Sequence, residues 1–409
     1  MFLRTKNIKL SPIKQMELLA AKIPDVVSLA QGIPSFDTPD VVKKAAIKAL
    51  NRGVVAKYSL TYGLPELRET IEQKLAESEM YYDFEKEIIA TAGSIEAITA
   101  SLISIINSKK DEVILFSPSY ASYCEAIKVA AGRPIFVNLI EADGWRIDFK
   151  NLARRINNRT AAIIICNPNN PTGTIFPKED LLKIAELAWK RKIFIICDEV
   201  YKNFIYDNEV TFFSLAQIPQ LRKIVIRVFS LSKIYAMTGW RIGFLHSDEE
   251  NVSEIVKVHD SLVTCSPVIS QYAAISALDF ADKEIEEFRQ KYQERRDLIC
   301  QHLDDLPDFF SYQKPQGSYF VFPKIIQYKE VRPHKINRQF REVEPPKIKS
   351  TSWNFAIDLL NKAQVAVVPG LAFGPSGEGH IRMSFGRSEK DINEAMKRIK
   401  NYFTNDYYL

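Results

Sequence analysis

No apolar run in this chain approaches the ~18 residues that a membrane-spanning helix needs, so a helical membrane protein is excluded. Cysteine is sparse: Cys124, Cys166, Cys197, Cys265 and Cys300 are scattered, odd in number and form no CxxC pair. That excludes a disulfide framework, gives no reason to expect a metal site, and fits small buried thiols in a reducing compartment such as the cytoplasm. Charge of one sign is also lacking. Lys plus Arg number 55 against 50 Asp plus Glu, and a net charge of +5 over 409 residues makes no case for a nucleic-acid partner. There are no repeats and no low-complexity tract. The charged start, Met1 to Lys6, has no apolar core behind it, so a secretory leader is not expected.

What is present is an ordinary apolar content of 46%, enough for a large core, over a length that suggests two or three domains. From about residue 90 to 285, short apolar runs alternate with amphipathic stretches. Strands are expected at Glu87–Ala92, Glu112–Phe116, Pro134–Leu139, Ala161–Cys166, Lys192–Cys197, Lys223–Phe229 and Ile242–His246. Several are Ile/Val-rich without polar alternation, the pattern of strands buried on both faces. Helices are expected at Ser94–Asn107 and Lys178–Lys190. In the second, Leu181, Ile184, Ala185 and Ala188 form a stripe widened by Leu182 and Trp189. The alternation predicts an α/β protein with a mostly parallel sheet flanked by helices, whose ligands bind beyond the carboxyl ends of the strands. After about Phe288 the texture changes to a charged helix, Glu284 to Leu303, and shorter strands around Ser318–Phe322, Val365–Val368 and His380–Phe385. The expected division is an N-terminal arm over 1–39 with no long periodic element, a large domain over 40–285 and a smaller α+β domain over 286–409. The last carries a basic insertion at about 324–350. Lys324 to Lys349 holds eight Lys or Arg against three Glu, with three prolines, and reads as a solvated loop or as a lid that meets an anionic substrate.

Three chemical signals follow three of the expected strands. Asn167-Pro168-Asn169-Asn170-Pro171-Thr172-Gly173 forces an irregular turn that either presents asparagine amides to a crevice or bonds them locally. Asp198-Glu199-Val200-Tyr201 puts an aspartate at the end of a buried strand, where it either caps a helix or needs a cationic partner. Ser230-Leu231-Ser232-Lys233 delivers a lysine behind two serines, and Arg241 follows among glycines in Gly239-Trp240-Arg241-Ile242-Gly243. An amine that can form a Schiff base, a carboxylate for a protonated pyridine nitrogen, and hydroxyls with a guanidinium for a phosphate are what pyridoxal 5'-phosphate (PLP) chemistry requires. Gly93-Ser94-Ile95 opens a helix after a strand, where free backbone N–H groups suit a phosphate. Arg382, within an apolar alternating strand, needs an anion, either a substrate carboxylate or a structural acid.

With these segments assembled, the chain resembles the class I/II aminotransferases of PLP fold type I, from about Gly32 to Met396. The resemblance runs in order through Gln31–Phe36, Tyr58 to Arg68, Gly93-Ser94, Asn167–Gly173, Asp198–Tyr201, Ser230–Gly243, Pro369-Gly370 with Phe373-Gly374, and Arg382. It implies that Lys233 binds the cofactor aldehyde and later moves the proton between substrate Cα and cofactor. It implies that Asp198 pairs with the ring nitrogen and that Asn170 and Tyr201 bind the ring oxygen. Tyr120 would stack on the ring. Ser94, Ser230 and Arg241, with backbone at Gly93 and Ile95, would hold the phosphate. Arg382 would grip the substrate carboxylate with Gly32 backbone and Asn170 beside it. Tyr58 would reach the phosphate of a neighbouring subunit, making the enzyme a homodimer. The reaction implied is ping-pong transfer of an amino group from an L-amino acid to a 2-oxo acid through pyridoxamine phosphate.

The basic insertion departs from the family pattern, and His259 to Thr264 lacks the arginine by which one branch reads a second carboxylate. Tyr120 and Phe36, read as near the site, suit aromatic or aliphatic substrates, and other lysines could serve an aspartate. A PLP-dependent lyase, such as a cysteine–sulfur lyase, would use the same lysine and aspartate. A transcription regulator with an aminotransferase-like sensor would need a DNA-binding domain ahead of motifs that begin by Gly32.

Overall fold

The computed structural model describes residues 8, 10–207, 209–328 and 349–404. Most of the basic insertion therefore lies outside the described residues. At its start, Lys324–Ile325 pairs antiparallel with Phe310–Ser311.

An eight-stranded sheet organises the chain. In chain order its strands are β1 (Ile88–Thr91), β2 (Glu112–Ser117), β3 (Arg133–Ile140), β4 (Arg146–Ile147), β5 (Thr160–Cys166), β6 (Phe194–Asp198), β7 (Val225–Ser230) and β8 (Gly243–His246). Their spatial order is β1-β8-β7-β6-β5-β2-β3-β4. The five strands β7, β6, β5, β2 and β3 are mutually parallel, and β8, β1 and β4 join by antiparallel pairs. All seven expected strands of this region form. The two-residue β4 was not anticipated, being too short for a periodic signal. Strands β1, β2, β7 and β8 are buried along their whole length, which is why their sequences do not alternate.

Helices cover the faces. Lys178–Trp189 starts after Pro177 and buries Leu181, Ile184, Ala185 and Ala188, the expected stripe. Each such apolar side chain contributes about 1.5–3 kcal/mol by leaving water, less for alanine. Leu182 and Trp189 do not widen the stripe; they are 38% and 50% exposed. Ser94–Ile105 lies close to strands β7 and β8, and Asp282–Asp304 packs on the C-terminal helix Glu389–Thr404.

The N-terminal segment is more ordered than its sequence suggested. Ser11 caps a nine-residue helix, Pro12–Ala20, that buries Ile13, Met16 and Leu19. Val27–Ser28 then pairs in parallel with Val365–Ala366. The helix is too short for a strong 3.6-residue signal, and only its docking against the Val365–Ala366 and Val368–Pro369 strands fixes it.

Topology brings the chemistry to one edge. β1 runs in the same sense as β7, because two antiparallel pairings with β8 lie between them. The carboxyl ends of β1, β2, β5, β6 and β7 therefore meet. Ser230 is in register with Gly243, so everything from Leu231 to Ile242, including Lys233 and Arg241, is a connection at that edge.

Candidate active site

A cavity of ≈ 250 Å³ opens there. It is lined by Gly32, Ser94, Ile95, Tyr120, Asn170, Asp198, Tyr201, Ser230, Lys233, Arg241 and Arg382, eleven of the residues singled out in the sequence.

Asp198 ends β6 and is buried. Its Oδ2 accepts a 2.5 Å hydrogen bond from the Tyr123 hydroxyl, and its Oδ1 accepts from the Val200 N–H at 3.3 Å. Burial pushes the carboxyl up to about 6, against the pull of these two donors. Tyr123 was missed in the sequence. The available signal was its position one helical turn after Tyr120, whose ring it meets edge-on at 5.4 Å.

Lys233 sits in the short helix Leu231–Ile234, whose N-cap is Ser230. Its amine donates to the Gly32 carbonyl at 2.7 Å, an oxygen that also accepts from the Tyr319 hydroxyl at 2.8 Å. Burial, then the nearby guanidinia of Arg382 and Arg241, bring the amine down to about 8. The group that Gly32 turns to the lysine is thus its carbonyl.

Arg241 adopts a left-handed conformation (φ 52°) and donates to the carbonyls of Thr238 (3.1 Å) and Ala92 (3.2 Å). Gly93, at φ 86°, caps the helix that Ser94 opens. A Cβ at Gly93 would stand 2.6 Å from Arg241 Nη2 and push that side-chain end aside, at a φ that side chains rarely adopt. Gly93 does not line the cavity with its own surface, but it allows guanidinium and helix N-terminus to converge.

Arg382 lies in the Ile381–Ser384 strand, 1% exposed, with its guanidinium 4.2 Å from the Phe320 ring centre and 5.0 Å from that of Phe373. It donates to Asn170 Oδ1 at 3.1 Å and to the Ala30 carbonyl at 2.5 Å. Its Nε is buried without a partner, and no carboxylate lies within ion-pair distance among the described residues. Burial lowers the group to about 10. A buried cation with no carboxylate partner among the described residues is costly, which speaks against a structural acid there. Asn170 Nδ2 lies 3.5 Å from the Tyr201 hydroxyl, whose phenol burial pushes well above its ordinary value.

Phe36 lies elsewhere than expected, and Tyr58, expected to serve a neighbouring subunit, stands on the surface. Tyr58 is 84% exposed and does not line the cavity. Phe36 stacks on Phe288 at 4.2 Å between ring centres, with Tyr292 edge-on at 5.1 Å, so it is half-buried against the core and does not line the cavity. In its place the N-terminal helix enters the cavity with Ile13, Lys14 and Glu17, and Ser11 precedes it. Nothing in the sequence pattern signalled this, because docking across the chain creates it.

The residues fit PLP. A buried carboxylate suits a protonated ring nitrogen, a desolvated amine suits an aldehyde, and the Gly93–Arg241 cradle suits a phosphate. Arg382 lines the same cavity, with its Nε unpartnered. Comparison with known proteins agrees. Residues 24–399 match the family described as Aminotransferase class I and II. The aspartate aminotransferase of Pyrococcus abyssi is 35% identical, covering 95% of each chain. The aromatic-amino-acid aminotransferase 2 of Thermococcus litoralis is 33% identical, covering 97% of this chain and 96% of its own. The solved aspartate aminotransferase of Thermus thermophilus, with maleate, superposes with a TM-score of 0.86 at 31% identity, covering 98% of each chain. No described helix is long and apolar enough to cross a membrane. A lysine, an aspartate and two guanidinia at the carboxyl edge of a fold-type I sheet, with this family match along nearly the whole chain, place the protein in the class I and II aminotransferases, as a PLP-dependent aminotransferase.

Proposed function

We propose that the cavity divides its polar groups between cofactor and substrate, and that the amino donor is acidic. The carrying observation is that one cavity holds four cations, Lys14, Lys233, Arg241 and Arg382, at different depths. When bound, PLP supplies an electron sink for the bonds at the substrate Cα. Asp198 holds a proton at the ring nitrogen, with Tyr123 fixing its carboxylate. Arg241, Ser94, Ser230 and the N–H groups after Gly93 would hold the phosphate; Tyr120 would pack on the ring, and Asn170 and Tyr201 would hold its oxygen. Lys233 would anchor the cofactor, and its amine, lowered to about 8, suits taking a proton from the substrate Cα. Arg382 orients the α-carboxylate with Asn170 at its side.

That leaves Lys14 for a second carboxylate. It stands at the mouth, paired at 2.7 Å with Glu17, and its side chain is 63% exposed. A relative named aspartate aminotransferase supports this reading; the Tyr120, Ile13 and Ile33 lining leaves room for an apolar donor as well. Tyr58, exposed here, would complete the site of a second subunit in a homodimer. Five free cysteines, four of them buried, support a cytoplasmic location. We place the large domain at 40–285, with 1–39 and 286–409 forming the smaller one, a division supported by the pairing of Val27–Ser28 with Val365–Ala366.

The test is the absorption of PLP-loaded protein given single amino acids without an oxo acid. The expected result is lasting conversion to the pyridoxamine form with aspartate and release of its 2-oxo acid. In Lys14→Met, kcat/KM for aspartate should fall about tenfold while that for phenylalanine holds, the loss of one exposed charge contact. A spectrum that recovers as ammonia accumulates would instead indicate a lyase.

A further inference from the structure

A second cavity, of ≈ 190 Å³, is lined by Lys202, Asn203, Arg227 and Phe229, with Lys74, Glu77 and Asp282 among its other lining residues. The established reaction uses none of these residues. Arg227, on β7, is 1% exposed. Its Nε donates to Glu199, and its Nη1 meets His246 Nε2 at 3.2 Å. Burial and the Arg227 charge hold His246 well below its ordinary value, so the imidazole is neutral and accepts. The remaining nitrogen, Nη2, is buried without a hydrogen-bond partner.

Lys202 adds a second cation. Its ammonium lies 5.6 Å from the Phe229 ring centre, and no carboxylate among the described residues comes within ion-pair distance of it. Asn203 lines the same cavity; its Oδ1 is buried and unpartnered, and a flip of that amide would put its NH₂ in that position. Lys74 already engages both rim carboxylates, Glu77 at 3.2 Å and Asp282 at 3.1 Å. Those two are the carboxylates that line the cavity; Glu199, bonded to Arg227 Nε, does not line it. A buried guanidinium nitrogen and a desolvated ammonium are costly without a counter-charge.

We propose that this cavity binds a small oxyanion, a phosphate or a carboxylate group, through Arg227 Nη2, Lys202 Nζ and the Asn203 amide. The site is separate from the cofactor cavity, and its occupancy does not depend on which amino acid the enzyme transaminates.

The test uses the wild-type holoenzyme, so that the cofactor's own phosphate fills the Arg241 cradle. Burial and Arg227 bring the Lys202 amine down to about 8, which makes it reactive toward an amine-directed acylating reagent at pH 8. Acylation of Lys202 is followed by peptide mapping while inorganic phosphate, or separately acetate, replaces chloride at constant ionic strength. An anion that raises the amine by about one pH unit should slow its labelling about fivefold, with saturation. Labelling of exposed Lys190 should not change. Protection by phosphate alone identifies a phosphate site, and protection by acetate alone a carboxylate site. Calorimetry on Lys202→Met holoenzyme should lose that binding isotherm. Lys202 labelling that follows Lys190 in both titrations overturns the proposal, as does an unchanged isotherm in the variant.

Discussion

The Tyr123 hydroxyl donates a 2.5 Å hydrogen bond to Oδ2 of Asp198, and both side chains are buried. The acid meant to keep a proton on a bound ring is therefore itself held by a neutral donor. Burial raises Asp198 to about 6, and Tyr123 is the largest influence acting against it. Tyr123→Phe should raise the carboxyl further and weaken PLP binding about tenfold at pH 7, since a hydrogen bond to a charged group contributes about 1.5–3 kcal/mol. Titration of apoprotein with PLP checks this, and an unchanged Kd removes Tyr123 from the site.

The Asp198 shift also makes a stability statement. The folded value, about 6, lies above the ordinary 3.8, so this group's contribution is fully present below about pH 4 and is lost as pH rises through about 6. At pH 7 the buried carboxylate of the apoprotein is destabilising, by roughly 2–3 kcal/mol from the size of the shift. Asp198→Asn should raise the apoprotein Tm at pH 7 and leave it nearly unchanged at pH 4, while cutting PLP affinity and turnover at least about a hundredfold. Equal Tm changes at both pH values would mean that the effect is not ionisation.

Lys233 gives the opposite sign. Its amine is lowered to about 8, so it is neutral above that pH and protonated below. Only the neutral amine attacks an aldehyde. The rate of PLP uptake by apoprotein should rise across about pH 7 to 9 and then level off. Lys233→Ala should keep the fold, retain no turnover and show no covalent cofactor band. A pH-independent uptake rate would contradict the assignment.

Gly93→Ala tests the cradle without replacing any polar side chain. The added carbon meets Arg241 Nη2 at 2.6 Å, at a φ of 86° that disfavours any side chain. A strain of about 1–3 kcal/mol should appear as roughly ten- to hundredfold weaker PLP binding, with KM for the amino acid less affected. Normal affinity would show that the guanidinium moves aside at no cost.

What the sequence determined is local and chemical. Apolar runs, several of them Ile/Val-rich and buried on both faces, marked seven of the sheet strands, and the residues that end them, Asn170, Asp198, Ser230 and Lys233, follow within a few positions. Strand ends are legible because the apolar run stops where the polar group begins. What only tertiary structure decided is which distant segments meet. Arg382 comes 212 positions after Asn170, yet the two share a hydrogen bond. Phe36 left the expected site for the core because Phe288, 4.2 Å away, gave it an apolar face to cover. Lys14 reached the cavity because a helix too short to stand alone docks on the strands near Val365 and Val368. The unpartnered Nη2 of Arg227 has no sequence signature at all. A buried charge is defined by everything packed around it, and periodicity reports only the element on which it sits.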